Sequence, residues 1–257
     1  MILAIDLGNT NIVIGCIDDK KIYFEERMAT DLSKTELEYY VLFKTVLDLY
    51  GIHSGEIEGA IISSVVPPLV NVLKSAVEKL IGKSPFIVGS GVKTGLNILM
   101  DHPKQVGSDM IVDAVAAVKE YGAPFIVIDI GTATTMSVVD KNGNYIGGCI
   151  MPGVKVSADS LAAKAAQLSK VGFSAPAKSI GKNTVDCMKS GIIFGHAASL
   201  DGMIDRMEAE LGYSCTIIAT GGLAGVILPQ CRHKIIEDQE LLLKGLKIIY
   251  DLQTQEK

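Results

Sequence analysis

The segment Ala4-Ile5-Asp6-Leu7-Gly8-Asn9-Thr10-Asn11 decides the fold, because its pattern returns in mid-chain as Val127-Ile128-Asp129-Ile130-Gly131-Thr132-Ala133-Thr134. Each copy has an apolar run, an aspartate, a glycine with small hydroxyl or amide residues, and a second run rich in β-branched residues. This pattern predicts a strand, a tight turn and a returning strand. Glycine lets a backbone approach a ligand, and Asn and Thr place donors beside it. Two such turns facing each other across a cleft would grip a polyphosphate and its metal, which indicates a duplicated two-domain phosphotransferase.

The composition is that of an ordinary globular protein. The 257 residues are 48% hydrophobic and 21% charged, which excludes a disordered chain and allows two modest domains. The net charge is −5 and no basic stripe occurs, so we expect no nucleic-acid partner. Polar residues and prolines interrupt the longest apolar stretches, so we expect neither a membrane span nor a membrane partner.

The cysteines and the N-terminus indicate a cytoplasmic protein. The five cysteines are scattered, odd in number and without a C-x-x-C pair, which disfavours a disulfide framework or a zinc site. A reducing cytosol is the better interpretation. The chain enters its first predicted strand directly, with no basic region and no cleavage site, so we expect no signal peptide.

Hydrophobic periodicity and turn residues predict the same order of elements in both halves. In the first half we predict strands at 2–7, 11–17, 21–28, 60–63 and 85–88, and helices at 35–50 and 67–80. In the second half we predict strands at 124–130, 134–139, 145–150 and 215–219, helices beginning near 153 and 183, and a terminal helix at 241–250. A repeated βββαβα order is typical of the actin-like ATPase and sugar-kinase superfamily. We therefore predict an α/β protein of two ribonuclease-H-like domains, residues 1–118 and 119–257, joined by a helix over 108–121.

Rival nucleotide-binding and hydrolytic folds lack their motifs in this chain. There is no G-x-x-x-x-G-K-[ST] of a P-loop enzyme and no G-x-G-x-x-G opening a helix. The histidines are scattered, and nothing pairs them with a serine or cysteine nucleophile. Hydrolysis by a catalytic triad is therefore unsupported.

Three aspartates could carry phosphotransferase chemistry, and each also has a plainer structural explanation. Asp6 could hold a hydrated Mg²⁺ while the Gly8–Thr10 amides bind phosphate, or the segment could be a simple hairpin turn. Asp129 ends a very apolar run and needs a cation or several donors, unless it is a solvated strand-end residue. Asp109 could be a general base for a substrate hydroxyl, or a first-turn acid that stabilises a helix dipole beside the cap Ser108. The repetition favours the phosphate roles of the two turns, whereas the local sequence favours the helix-dipole explanation for Asp109.

Three further sites at helix starts are less specific. The segments Gly147–Gly153 and Thr220–Gly222 lie at strand-to-helix junctions, where backbone amides could contact phosphate or adenosine. Tight packing turns explain both equally well. Asn183 precedes a long predicted helix and is by default an ordinary N-cap.

Ten short motifs in order make the chain similar to the type III pantothenate kinases over nearly its whole length. They are Asp6–Asn11; Arg27-Met28 with Thr30-Asp31 and Lys34-Thr35; Ser63–Pro67; Lys93–Asn97; Gly107–Asp109; Asp129–Thr134; Gly147-Gly148 with Pro152-Gly153; Gly181–Thr184; Ala219–Gly222; and Leu243–Leu246. The resemblance implies ATP-dependent phosphorylation of the terminal hydroxyl of pantothenate to 4'-phosphopantothenate, the first step toward coenzyme A. It also implies a cytoplasmic homodimer with active sites near the dimer interface, and a requirement for Mg²⁺ and a monovalent cation, K⁺ or NH₄⁺.

The resemblance also implies roles for individual residues. It assigns ATP binding to Asp6, Leu7, Gly8, Asn9, Thr10, Asn11, Ile12, Val13 and Thr132. It assigns pantothenate binding to Met100, Gly107, Ser108, Asp109, Met110 and Thr184. Asp109 becomes the proton acceptor, which reverses the preference from its local sequence, and Asp129 becomes the ligand of the monovalent cation.

Two positions depart from the family pattern. Met110 stands where the family commonly has arginine after the catalytic aspartate, and Met100 stands where it commonly has tyrosine. An arginine contact to an anionic substrate contributes on the order of 1.5–3 kcal/mol, so its loss could raise the Michaelis constant roughly tenfold to a hundredfold. Two alternatives to an ordinary pantothenate kinase follow: a catalytically weakened or regulatory homologue, and a kinase for a different small alcohol.

Overall fold

The computed structural model describes residues 1–89, 91–165 and 168–255, which form two compact units. The first unit contains Met1–Leu96, Asp101–Lys119 and the chain from Glu240 onward. The second contains Asn97–Met100 and Glu120–Gln239. Within the described residues, no helix is both long and apolar enough to cross a membrane.

Three consecutive strands precede the first helix of each sheet's series, and shorter runs of helices and strands follow. The strands are β1 (Ile2–Leu7), β2 (Asn11–Ile17), β3 (Ile22–Ala29), β4 (Gly59–Ser64), β5 (Phe86–Ile87), β6 (Asn97–Ile98), β7 (Phe125–Ile130), β8 (Ala133–Val139), β9 (Asn144–Pro152), β10 (Thr216–Thr220) and β11 (Ile236–Glu237). The helices are α1 (Glu36–Leu49), α2 (Pro67–Ile81), α3 (Ser108–Tyr121), α4 (Val154–Lys164), α5 (Thr184–Leu211), α6 (Ala224–Ile227) and α7 (Leu241–Thr254). Short 3₁₀ turns occur at Ser54–Glu56, Pro103–Gln105 and Leu228–Gln230.

The sheet of the first unit has the strand order β3-β2-β1-β4-β5. The hairpin strands β1, β2 and β3 are antiparallel, whereas β4 runs parallel to both β1 and β5. The register places Asp6 beside Ser63, and Leu7 beside Ser64. The polar carboxyl ends of β1 and β4 therefore lie side by side.

Helix α1 packs on this sheet through only some of the apolar residues that predict it. The helical spacing of Leu37, Tyr40, Val41, Leu47 and Tyr50 predicts the helix, whereas its buried residues are Tyr39, Phe43 and Leu47. Leu37 is 59% exposed and Val41 is 51% exposed. The predicted helix is confirmed, and its packing face is centred on the rings of Tyr39 and Phe43 at i and i+4, with Leu47 buried and Tyr40 partly buried against the same core.

The sheet of the second unit repeats the first and adds one strand. Its order is β11-β10-β7-β8-β9-β6, so the series β9-β8-β7-β10-β11 corresponds to β3-β2-β1-β4-β5. The register places Asp129 beside Thr220, just as Asp6 lies beside Ser63. The extra strand β6 pairs parallel with β9. The predicted α/β fold with a repeated strand order is confirmed, whereas the two-residue strands β6 and β11 were not predicted.

The terminal helix α7 is grouped with the first unit rather than with the residues that precede it. Its residues Leu243, Leu246 and Ile249 are buried in a cluster with residues of β1 and β4. Gly15 and Gly59 make room for it, because a Cβ on either would collide with Leu243 or Tyr250. The domain boundary at residue 118 stays a prediction. The chain passes between the two units more than once, because residues 97–100 belong to the second unit and α7 belongs to the first.

Candidate active site

The turn after β1 is held by its own backbone and by one hydroxyl group. The Gly8 amide donates to the Asn11 carbonyl at 3.0 Å, and the Thr30 hydroxyl donates to the Gly8 carbonyl at 2.6 Å. The Thr30 amide also donates to the Thr10 carbonyl at 3.0 Å. With the backbone fixed in this way, the side chains of Asn9, Thr10 and Asn11 are exposed to solvent. The turn thus presents short polar groups on a braced loop, as a phosphate-binding loop requires.

The flanking residues of this turn point mostly into the core. Leu7 and Ile12 are fully buried, and Val13 is half-buried. If these three residues contact ATP as the resemblance implies, Leu7 and Ile12 can do so only through their backbones. Asp6 is different, because it is a carboxylate only 9% exposed at the end of β1, between Val13 of β2 and Ser63 of β4.

The start of α3 is attached to the end of β4 by a buried hydroxyl group. Ser108 accepts from the Ser63 hydroxyl at 2.9 Å and from the Ser64 amide at 3.0 Å, and donates to the Ser64 carbonyl at 2.9 Å. Ser63 is fully buried and Ser108 is 9% exposed. These contacts bring the first turn of α3 to the carboxyl ends of β1 and β4, where Asp6 also lies.

Asp109 follows Ser108 in the first turn of α3. Its Oδ1 accepts from the Met110 amide at 2.8 Å and lies over Gly107, where a Cβ would collide with it. Burial raises the pKa of the Asp109 carboxyl, and the backbone amides of Met110 and Asp109 oppose this shift. A raised pKa makes the ionised carboxylate a stronger proton acceptor, so the environment favours the general-base role over a plain helix-dipole role.

In the turn after β7, the carboxylate of Asp129 lies close to the backbone of two glycines, Gly131 and Gly221. The Gly131 amide donates to the Ala133 carbonyl at 3.0 Å, which parallels the bond of Gly8. A Cβ on Gly131 would lie 3.1 Å from Asp129 Oδ2, and one on Gly221 would lie 2.6 Å from Asp129 Oδ1. Gly221 also has φ of +103°, which an L side chain rarely adopts. The position of the Asp129 carboxylate therefore requires glycine at residue 221 and leaves little room for a side chain at residue 131.

A histidine that the sequence did not single out supports this second turn. The Thr134 hydroxyl, fully buried in β8, lies 3.0 Å from His196 Nε2 on α5. Burial lowers the pKa of His196. The two residues are far apart in sequence, so only the packing of α5 on the sheet could reveal the pair.

The remaining predicted substrate residues are divided between the two units. Gly107–Met110 belong to the first unit, whereas Met100 and Thr184 belong to the second. Met100 lies beside β9, with its sulfur 3.7 Å from the position of a Cβ on Gly147. Thr184 is the exposed first residue of α5, which Asn183 caps by accepting from the Asp186 amide at 2.9 Å.

The carboxylates fit cations that keep open coordination positions. Among the described residues, no group of three or more His, Cys, Asp or Glu side chains could enclose a metal ion. Mg²⁺ in nucleotide enzymes is commonly held by one or two carboxylates, with phosphates and water supplying the other ligands. Asp6, as a single carboxylate beside an exposed polar loop, suits such a site, and so does Asp129 for a weakly bound monovalent ion.

Comparisons with known proteins agree with this geometry. The family model described as type III pantothenate kinase matches residues 2–206. The type III pantothenate kinase of Moorella thermoacetica is 43% identical over 254 residues, covering 99% of this chain and all of the relative. That of Exiguobacterium sibiricum is 45% identical over 251 residues, covering 98% of this chain and 99% of the relative.

Solved structures with low sequence identity support the fold alone. A Campylobacter jejuni protein, named as a member of the Baf family, superimposes with a TM-score of 0.64 at 17% identity, over 99% of this chain and all of that one. Component A of the Acidaminococcus fermentans (R)-2-hydroxyglutaryl-CoA dehydratase superimposes with a TM-score of 0.58 at 15% identity, over 100% of this chain and 99% of that one. Sequence relatives over the full length and the match to the family model together show that the chain belongs to the type III pantothenate kinase family.

Proposed function

We propose that this protein transfers the γ-phosphoryl group of ATP to the terminal hydroxyl of pantothenate, with Asp109 as the proton acceptor. The observation that carries the mechanism is the placement of Asp109, whose pKa is raised by burial, at a helix start tied to the strand edge of Asp6. Membership of the kinase family supports the reaction and its substrates. The product, 4'-phosphopantothenate, is the first intermediate toward coenzyme A.

The reaction needs little covalent chemistry from the protein. Asp109 accepts the proton of the hydroxyl as its oxygen forms a bond to the γ-phosphorus. The bond from that phosphorus to the bridging oxygen breaks in line, and ADP leaves. Positioning and charge stabilisation supply most of the acceleration in such transfers.

The residues assigned to ATP would provide that positioning. The Gly8–Thr10 backbone and the exposed side chains of Asn9 and Thr10 would bind phosphate oxygens, and Thr132 would contact the nucleotide. Asp6 would hold a hydrated Mg²⁺ and Asp129 a K⁺ or NH₄⁺ ion; when bound, these cations neutralise phosphate charge. Gly107–Met110, Met100 and Thr184 would contact pantothenate. We further propose that the protein acts as a cytoplasmic homodimer with its active sites near the dimer interface.

Turnover with and without pantothenate tests this function. The purified protein is assayed for ADP release with Mg²⁺ and ATP, with K⁺ or NH₄⁺ present or omitted, beside Asp109→Asn. We expect ADP release that depends on pantothenate and on the monovalent cation and that Asp109→Asn lowers by a factor of about 10²–10⁴. ATP binding without any stimulation by pantothenate would contradict the proposal and point to a changed substrate or a lost activity.

A further inference from the structure

The hydroxyl of Ser108 is fully engaged inside the protein. A serine hydroxyl can donate one hydrogen bond and accept two. The bonds with Ser63 and with the backbone of Ser64 use all three positions, at 2.9–3.0 Å. The side chain therefore has no capacity left for a substrate, and any contact of Ser108 with pantothenate has to be made by its backbone.

The partner of this hydroxyl is placed by the sheet rather than by a loop. Ser63 is fully buried in β4 and pairs in register with Asp6, while Ser64 pairs with Leu7. The ladder continues one step further, because the Val65 amide donates to the Leu7 carbonyl at 3.1 Å. The hydrogen bonds to Ser108 thus fix the first turn of α3 relative to the carboxyl end of β1, which carries Asp6.

We propose that Ser63 and Ser108 form a positioning pair that fixes the carboxylate of Asp109 at the carboxyl ends of β1 and β4. The inference rests on the proposed function, in which Asp109 is the base. Asp109 directly follows Ser108, so a shift of the first turn of α3 moves the carboxylate with it. Catalytic groups need to be held within about 0.5 Å of their productive geometry, and an error of about 1 Å can cost roughly a hundredfold in rate.

The need to hold Asp109 in place also explains why residues 63 and 108 both carry a hydroxyl group. Ser63 lies in a strand whose other residues between Gly59 and Ile62 are buried and apolar or small. A buried hydroxyl without a partner is unfavourable. The hydroxyl of Ser63 donates to Ser108 at 2.9 Å, and within the described ranges 1–89, 91–165 and 168–255 we find no second side-chain partner for it, which makes the pair a specific link rather than an incidental surface bond.

Steady-state kinetics and amide hydrogen exchange on the full chain test the pair. We expect Ser108→Ala to lower kcat by about 10- to 100-fold and Ser63→Ala to lower it less, with the KM for pantothenate changed by less than about threefold. Both changes should speed exchange in peptides covering residues 107–114. Ser108→Thr, which keeps the hydroxyl, should retain most of kcat. The double variant should lose little more than Ser108→Ala alone, because the two residues act as one unit.

Thr35→Ala is the matched control, since it also removes a hydroxyl at a helix start in the first unit. Thr35 caps α1 through a reciprocal box with Glu38. Its loss should lower the melting temperature but leave kcat and exchange at 107–114 unchanged. If Ser108→Ala does not fold, Ser63→Ala still tests the pair, because it removes one of the three bonds.

The outcomes separate this proposal from the proposed function. An unchanged kcat with a KM for pantothenate raised about tenfold or more would make the Ser108 hydroxyl a substrate contact and overturn the positioning role. Unchanged exchange at 107–114 in both variants would overturn it as well. If the unmodified protein shows no pantothenate-dependent turnover, the proposed function fails, whereas the exchange measurement still decides whether the pair fixes α3.

Discussion

The turns after β1 and β7 have the same motif but hold their aspartates in different surroundings. Both close with a glycine amide donating at 3.0 Å, to Asn11 in the first turn and to Ala133 in the second. In the first, the neighbouring strand β4 ends in Ser63-Ser64, and both residues are hydrogen-bonded to Ser108 at the start of the helix that carries Asp109. In the second, the neighbouring strand ends in Thr220 and the glycine turn that touches the Asp129 carboxylate.

Under the proposed function, this difference would assign separate roles to the two copies of one motif. The first copy has one more residue in its turn and exposes Asn9, Thr10 and Asn11, and its neighbour brings in a potential base. The second copy offers bare backbone beside a carboxylate, which suits a weakly held cation. A duplicated scaffold can thus keep its strand order while each copy takes a separate part of the chemistry.

The largest effect should come from removing Asp109, the proposed base beside the first copy. We expect Asp109→Asn to lower kcat by a factor of about 10²–10⁴, because the amide cannot accept the proton of the hydroxyl. The folded protein should be at least as stable at pH 7, since burial raises the pKa of the native carboxyl and ionisation at higher pH therefore costs stability. Kinetics and thermal melts of the same sample check both. Retention of full turnover would remove Asp109 from the mechanism.

The next effect concerns the glycine that only the second copy needs. Gly221→Ala would place a Cβ 2.6 Å from Asp129 Oδ1 at a φ of +103°. We expect a loss of about 1–3 kcal/mol in the free energy of unfolding and a roughly 10- to 100-fold lower kcat with a weaker response to K⁺ or NH₄⁺.

Gly143→Ala separates strain from contact in that experiment. Gly143 has φ of +80° in the β8–β9 turn, with open space where a Cβ would lie. Gly143→Ala should lose less stability than Gly221→Ala, because its Cβ would not overlap a carboxylate or the Ile130 backbone, and it should keep its turnover and its cation response. If Gly221→Ala and Gly143→Ala lose turnover equally, the close approach of residue 221 to Asp129 has no specific role in the reaction.

The sequence predicted the repeated scaffold well because strand-turn-strand motifs are local. The paired apolar runs around Asp6 and Asp129, with their glycines, determine most of each hairpin. The predicted strands and helices of both halves agree with the structure to within a few residues. The placement of α7 in the first unit could not be predicted, because it depends on close approach at Gly15 and Gly59 between segments far apart in the chain.

The candidate site was only partly predictable for the same reason. The three aspartates stand out from their local motifs, and the family resemblance assigns them roles. The Ser63–Ser108 bond and the Thr134–His196 contact join residues that are remote in sequence, so no spacing could indicate them. Helical spacing did not show that Leu37 and Val41 of α1 are exposed, because they recur at the same spacing as residues that pack against the core.

A smaller effect should follow from restoring the arginine that the family pattern has at Met110. Met110 is half-buried in the first turn of α3, directly after the proposed base. We expect Met110→Arg to lower the KM for pantothenate by about tenfold, through a charge-assisted contact to its carboxylate, with kcat little changed. The neutral variant Met110→Gln serves as the control for polarity without charge. A raised KM in the arginine variant would show that methionine belongs to an altered substrate site.

The smallest effect should come from His196, the half-buried histidine beside the second copy. Burial lowers the pKa of His196, so the unfolded chain, whose histidine titrates near its ordinary value of about 6.5, binds the proton more readily than the folded one. His196 therefore costs stability increasingly as the pH falls below about 6.5, and the cost becomes constant below the lowered native pKa. His196→Gln can keep a hydrogen bond to Thr134 but cannot take up that proton. We expect its melting temperature to decrease less than that of the unmodified protein between pH 7.5 and pH 5.5, with turnover at neutral pH changed by no more than about threefold. Melting curves that fall in parallel over this range would show that protonation of His196 does not bear on the second turn.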